Sequence, residues 1–320
     1  MSIEQGASFN MTIGELANSI TVFGMEDTDP VLLVEGKDDI NLINRYYYLS
    51  EKNLNFRLVT GIDPDAAVAG KRNALKALEK YGNIFNNILC LVDRDLDFFL
   101  MSNSQDEKVI YYDYYELENY FFDKEILKLF FTHVFDCANN EKFEELVKIL
   151  INNQEMFIPL FVLKLYVELH YQEKVTSSYP EEICSTIVRL SKNIDGYLSH
   201  KKYTDLTYNE KLLALVTDEL AKLSINYSDI YQEVDQHIIT SMNATQKENL
   251  YMFKHCLDGK ELVKSMNNIC RFIIKEGNFS SFKSSITDTL LREWIPLHSN
   301  NFKNIMNTVE RKLELSESVV

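Results

Sequence analysis

Short unbroken apolar runs punctuate the first hundred residues, and longer segments with helical spacing separate them. Residues 9–24 carry the pattern of a short amphipathic helix, and Asp27–Pro30 reads as a turn. Val31-Leu32-Leu33-Val34 follows without a polar break, as expected of a strand buried on both faces. It ends in Glu35-Gly36, after which Asp38 and Asp39 open a helical pattern reaching about Ser50. Acidic residues in a first helical turn complement the helix dipole. Phe56–Thr60 reads as a second strand closed by Gly61, and Ala66–Tyr81 as a helix with Gly82 at its C-cap. Ile88–Val92 is a third strand that runs into Asp93-Arg94-Asp95-Leu96-Asp97, and Val109–Tyr112 a fourth. Strands alternating with helices predict an α/β fold with a mostly parallel sheet and helices on both faces.

The pattern changes after residue 123. Residues 141–151, 156–170, 209–223 and 260–275 have helical spacing, and strand signals fade. The chain is therefore expected to divide into an α/β domain over 1–123 and a mainly α-helical domain over 124–320, for substrate access or partner docking. Its 320 residues are enough for two cores. The most apolar stretch, Met156–Tyr171, is interrupted by Pro159, Lys164, Glu168 and His170. It predicts a buried helix and no membrane span.

Charge and cysteine usage narrow the chemistry. With 48 acidic against 33 basic residues the net charge is −15, which opposes tight unassisted binding to nucleic acid. A bound divalent cation or a basic partner would offset that repulsion. Five scattered cysteines without a CxxC pair fit reduced thiols, and no signal-peptide pattern opens the chain, so a cytoplasmic location is expected. The six histidines show no metal-ligand spacing.

The chemistry-bearing residues are two acidic clusters at predicted strand ends: Glu35-Gly36-Lys37-Asp38-Asp39 and Asp93-Arg94-Asp95-Leu96-Asp97. Sites in parallel α/β sheets lie outside the carboxyl ends of strands. Hard divalent cations prefer oxygen ligands, and Mg2+ uses a few carboxylates together with water and phosphate oxygens. Alternate residues of an extended segment share a face, so Asp93, Asp95 and Asp97 are expected to converge. Glu35 and Asp39 are four apart across a strand-to-helix turn and are placed to join them. Asp97 also suits the cap of a following helix, and Asp93 and Asp95 a turn and an N-cap. Gly70-Lys71-Arg72 lacks a Walker pattern; Lys71 reads as an exposed basic helix start able to contact a substrate phosphate.

Val31–Gly36 together with Leu91-Val92-Asp93-Arg94-Asp95 resembles the TOPRIM domain, found in topoisomerases, bacterial primases and OLD-family nucleases. The Glu35/Asp39 spacing resembles the OLD branch. Tyr115-Glu116-Leu117-Glu118-Asn119-Tyr120, and Phe253–Lys264 with Gly259-Lys260-Glu261-Leu262, resemble the TOPRIM branch encoded beside ABC-type ATPases in anti-phage systems of the PARIS type.

The resemblance implies a TOPRIM fold and a Mg2+-dependent nuclease, with Mn2+ as an alternative ion. It implies Glu35 as metal ligand or general acid/base, Asp93 and Asp95 as a metal-binding pair, Asp39 as a second acid of the first motif and Glu118 as a further ligand. Lys260 becomes a phosphate contact. It also implies a nucleic-acid substrate, RNA such as tRNA or else DNA, and an ABC-type ATPase partner that restrains a toxic effector. A homodimer is compatible with the aromatic-rich helices. Two other readings stay open: a non-catalytic module that binds metal to dock a partner, and a primase- or topoisomerase-like enzyme.

Overall fold

The computed structural model describes residues 11–23, 29–61, 70–85, 87–100, 102–135, 144, 158–171, 180–198, 206–241, 259 and 293–317. The chain divides into two compact units, one made of 1–94, 104–113 and 288–320, the other of 95–103 and 114–287.

The first unit is a parallel four-stranded sheet in the order β2-β1-β3-β4: β1 (Val31–Val34), β2 (Arg57–Thr60), β3 (Ile88–Val92) and β4 (Val109–Tyr111). The all-apolar strands β1 and β3 are buried along their whole length, as strands covered on both faces must be. They hold the centre of the sheet, with Val34 opposite Leu91. The edge strands are short, and Arg57 on β2 is exposed and bridged to Asp29 at 3.0 Å. Short, charged edges discourage pairing with other chains.

Helix α2 (Lys37–Leu49) links β1 to β2, and α3 (Lys71–Tyr81) precedes β3. The β1-to-β2 and β2-to-β3 connections run in opposite directions across the sheet, so right-handed crossovers place their helices on opposite faces. One face buries Val31, Leu33, Val59, Ile88, Cys90 and Val92 beneath α3 and α1 (Ile13–Phe23). The alternate residues Leu32, Val34, Leu89 and Leu91 are equally buried toward the other face.

Two C-terminal helices complete this unit, α10 (Ile295–His298) against α2 and α11 (Asn300–Glu317) against β3. Phe302 meets the Tyr46 ring edge-on, Tyr47 donates to Glu310 at 2.7 Å, and Asn87 donates to the Leu313 carbonyl at 2.6 Å. Residues 293–317 thus pack on the sheet unit, where a boundary at 123 would have grouped them with the helical domain.

The second unit is helical among its described residues. It holds α4 (Asp97–Leu100), a 3-10 turn (Leu117–Phe122), α5 (Lys124–Phe135), α6 (Ile158–Tyr171), α7 (Pro180–Leu198), α8 (Tyr208–Ala221) and α9 (Tyr227–Ser241). Helix α6 packs against α7, α8 and α9, and nine of its side chains from Pro159 to Leu169 are buried. The expected helix over 156–170 is therefore a central packing element, and no described helix is long and apolar enough to cross a membrane. The expected helices over 141–151 and 260–275 fall almost wholly outside the described residues.

Candidate active site

The sheet order creates a crevice. From β1 the chain moves to β2 on one side, and β3 then returns to the other side of β1. Ligands of open parallel α/β sheets bind at such a switch point, outside the carboxyl ends of the strands. Glu35 leaves β1 there and Asp93 leaves β3 beside it. The backbone N–H of Asp93 donates to Glu35 Oε1 at 2.6 Å. Both residues are half-buried, and the Oδ1 atom of Asp93 is buried.

Asp39 takes a different place. It is the third residue of α2, buried, and its Oδ2 accepts the Gly36 N–H at 3.0 Å as the reaching-back arm of a capping box. Its Oδ1 accepts the hydroxyl of Tyr112 at 3.0 Å. Both carboxylate oxygens therefore bond within the protein. Burial pushes its carboxyl up to about 6, against the opposing pull of the Tyr112 and Gly36 hydrogen bonds.

That upward shift makes a prediction for the metal-free protein. An unfolded Asp titrates near pH ~3.9, so between there and about 6 the folded state holds a proton that the unfolded state has lost. Asp39 should contribute stability fully below pH ~3.9 and lose it as pH rises through 6, by the order of 2–3 kcal/mol. Denaturant melts in EDTA at pH 4.5 and 7.5 test this. Asp39→Asn should flatten the difference, and an Asn variant with the wild-type pH slope would disprove it.

Asp95 departs from the extended geometry expected of it. Its φ is +45°, in the left-handed region, and its N–H donates to the Tyr115 carbonyl at 2.8 Å. Asp tolerates that region better than most residues, and such conformations gather at functional turns. The alternation placing Asp93, Asp95 and Asp97 on one face stops at this turn. Asp97 is the first residue of α4 and accepts the Ser102 hydroxyl at 3.3 Å. Among the described residues, no three His, Cys, Asp or Glu side chains stand grouped to hold a metal ion.

In the second unit, Glu118 is buried in the 3-10 turn together with Glu116, Asn119 and Asp123. Glu116 and Asn119 cap each other, Asn119 Oδ1 accepting the Glu116 N–H at 3.2 Å, and Asp123 accepts the Tyr114 hydroxyl at 2.8 Å. Gly259 lies against this turn: a Cβ there would come within 2.6 Å of Asn119 Oδ1, 2.7 Å of its N and 2.8 Å of the Glu118 Cβ. Gly259 of the later downstream motif thus meets the earlier one, more than 130 residues before it in the chain. Gly259→Ala should destabilise the protein by about 1–3 kcal/mol through overpacking; an unchanged thermal midpoint would contradict this close approach. Lys260 lies outside the described residues.

Lys71 is the first residue of α3; it is half-buried and its Nζ is buried, where the sequence pattern led to an exposed side chain. A helix that connects parallel strands begins at their carboxyl ends, so Lys71 belongs to the same end of the sheet as Glu35 and Asp93. Helix N-termini favour anions there. Cys90 offers no nucleophile at this end, because burial first, and then the charges of Glu35 and Asp39, push its thiol up. A cavity of about 470 Å3 opens elsewhere, at the amino-terminal end near Pro30, Phe56 and Glu310, and holds none of these residues.

Tyr112 escaped the sequence reading, which named it only as the end of the fourth strand. Its hydroxyl reaches a residue 73 positions away, and nothing local signals that. No family model matches the chain, and no curated protein matches it. What the fold defines is a four-stranded parallel α/β sheet with acidic residues at its switch point.

Proposed function

We propose that this protein is a Mg2+- or Mn2+-dependent nuclease of the TOPRIM type that hydrolyses nucleic-acid phosphodiesters. The observation that carries the reading is the Glu35–Asp93 contact at the carboxyl ends of the two central strands, on either side of the switch point. The donor set fits the ion. Mg2+ is commonly held by one or two protein carboxylates, with water and substrate phosphate completing its shell. A pair of carboxylates without a prebuilt third ligand is compatible with that habit.

A bound divalent ion supplies charge neutralisation at the phosphate and a water of lowered pKa. Asp93 would hold the ion, and Asp95 enters on the motif resemblance alone. Glu35 would share the ion with Asp93, orient the attacking water and take its proton. The N-terminus of α3 would face the phosphate backbone, and Lys71 would have to swing its buried Nζ outward to join it. Asp39 would keep the Glu35 turn in place, its oxygens being bonded to Gly36 and Tyr112. Glu118 and Lys260 enter this scheme on the motif resemblance alone.

The same resemblance supports a biological role as the toxic effector of an anti-phage system, restrained by an ABC-type ATPase, with tRNA, other RNA or DNA as substrate. A net charge of −15 is consistent with a partner that supplies basic contacts. The test is cleavage of a tRNA, single-stranded DNA and plasmid panel with Mg2+ or Mn2+, with EDTA, and with and without the neighbouring ATPase. Metal-dependent cleavage supports the reading; no cleavage under any of these conditions refutes it. A second reading is a metal-binding docking module, in which the same strand-end carboxylates hold an ion for a partner. It requires metal binding without turnover in the same assay.

A further inference from the structure

We infer that Tyr112 is a positioning residue that locks together the two turns bearing Glu35 and Asp93. The inference rests on the proposed reading of those carboxylates as the metal-holding pair. Tyr112 directly follows β4 and is completely buried. Its backbone N–H donates to the Val92 carbonyl at 3.0 Å, one residue before Asp93. Its hydroxyl donates to Asp39 Oδ1 at 3.0 Å, and Asp39 Oδ2 in turn accepts the N–H of Gly36, one residue after Glu35, at 3.0 Å. Glu35 Oε1 then accepts the Asp93 N–H at 2.6 Å.

These four hydrogen bonds close a ring: Tyr112 to the β3 end, the β3 end to Glu35, the Glu35 turn to Asp39, and Asp39 back to Tyr112. Three of them end on carboxylates, which makes them the stronger, charge-assisted kind when those groups are ionised. Closure matters because neither turn can shift without breaking a bond in the other. Ligand positions must hold to within roughly 0.5 Å for a functional metal site, and outer partners supply that constraint. Losing such a partner typically weakens metal affinity about 10–100-fold. One aromatic residue therefore grips the first turn through its side chain and the second through its backbone.

Tyr112→Phe removes the hydroxyl and keeps the ring. Mn2+ affinity measured by calorimetry should fall about 10–100-fold, and amide exchange at Gly36 and Asp93 should quicken. Tyr47→Phe is the control. It loses a comparable hydroxyl bond, to Glu310 at 2.7 Å, near the other end of α2, and should lower the thermal midpoint without changing Mn2+ affinity. Wild-type affinity and amide protection in Tyr112→Phe would overturn the inference, as would equal weakening in Tyr47→Phe. If the wild-type protein binds no Mn2+, or Glu35→Gln binds it unchanged, the metal reading fails. The amide exchange of Tyr112→Phe then decides the positioning role by itself.

Discussion

Glu35→Gln should lower metal-dependent cleavage by roughly 10²–10⁴-fold while leaving the fold intact, the range expected when a positioned acid/base is removed. Gln has nearly the same shape, and its Oε1 can still accept the Asp93 N–H that Glu35 Oε1 accepts at 2.6 Å. The strand-end contact survives, and what disappears is the charge and the proton-accepting oxygen. Glu35→Ala is a harsher substitution. It also strips the acceptor from the Asp93 N–H, an additional loss of about 1–3 kcal/mol if no water replaces it. Cleavage should fall at least this far in both variants, with the midpoint lowered only in the Ala variant. The decisive measurement is single-turnover cleavage beside a thermal melt. A Gln variant that cuts at the wild-type rate would remove Glu35 from the chemistry.

Gly61→Ala should cost about 3 kcal/mol of stability, at the upper end of what overpacking usually does. Gly61 follows β2, is buried, and donates its N–H to the Val34 carbonyl at 3.3 Å. A Cβ there would lie 2.5 Å from the Ala74 Cα and 2.9 Å from its N. Those are backbone atoms of α3, so no rotamer change relieves the clash and the whole helix must move off β2. Because α3 carries Lys71 at its start, the displacement should also weaken any substrate held at that end of the sheet. Chemical denaturation measures the first effect. A variant with wild-type stability would mean that α3 does not approach the strand so closely.

Much of the first unit can be read locally. The unbroken apolar runs of β1 and β3 correspond to strands buried at every position, and Ile88–Val92 falls where the pattern puts it. The β2 run begins one residue later than expected, at Arg57, and β4 ends one residue earlier, at Tyr111. Glu35 and Asp93 follow from the same local logic, since a polar residue directly after a buried strand marks its carboxyl end. The helical character of the second unit is equally visible in its spacing, as Ile158–Tyr171 and Tyr208–Ala221 show.

Other features are silent in the sequence because they depend on which surfaces meet. The order β2-β1-β3-β4, and with it the switch point, comes from crossover handedness and packing. Helix α11 covers the sheet some 200 residues away in the chain, a pairing that no local pattern carries. Asp39 looked like a ligand by spacing, yet its two oxygens are engaged by Gly36 and Tyr112. Asp95 breaks the expected alternation because a left-handed turn intervenes. Local patterns determine which residues are buried, helical or extended, since those follow from side-chain polarity and backbone period. Partner choice is decided only when distant strands and turns converge, because a hydrogen bond or close contact depends on ångström-scale distances that a one-dimensional pattern does not contain.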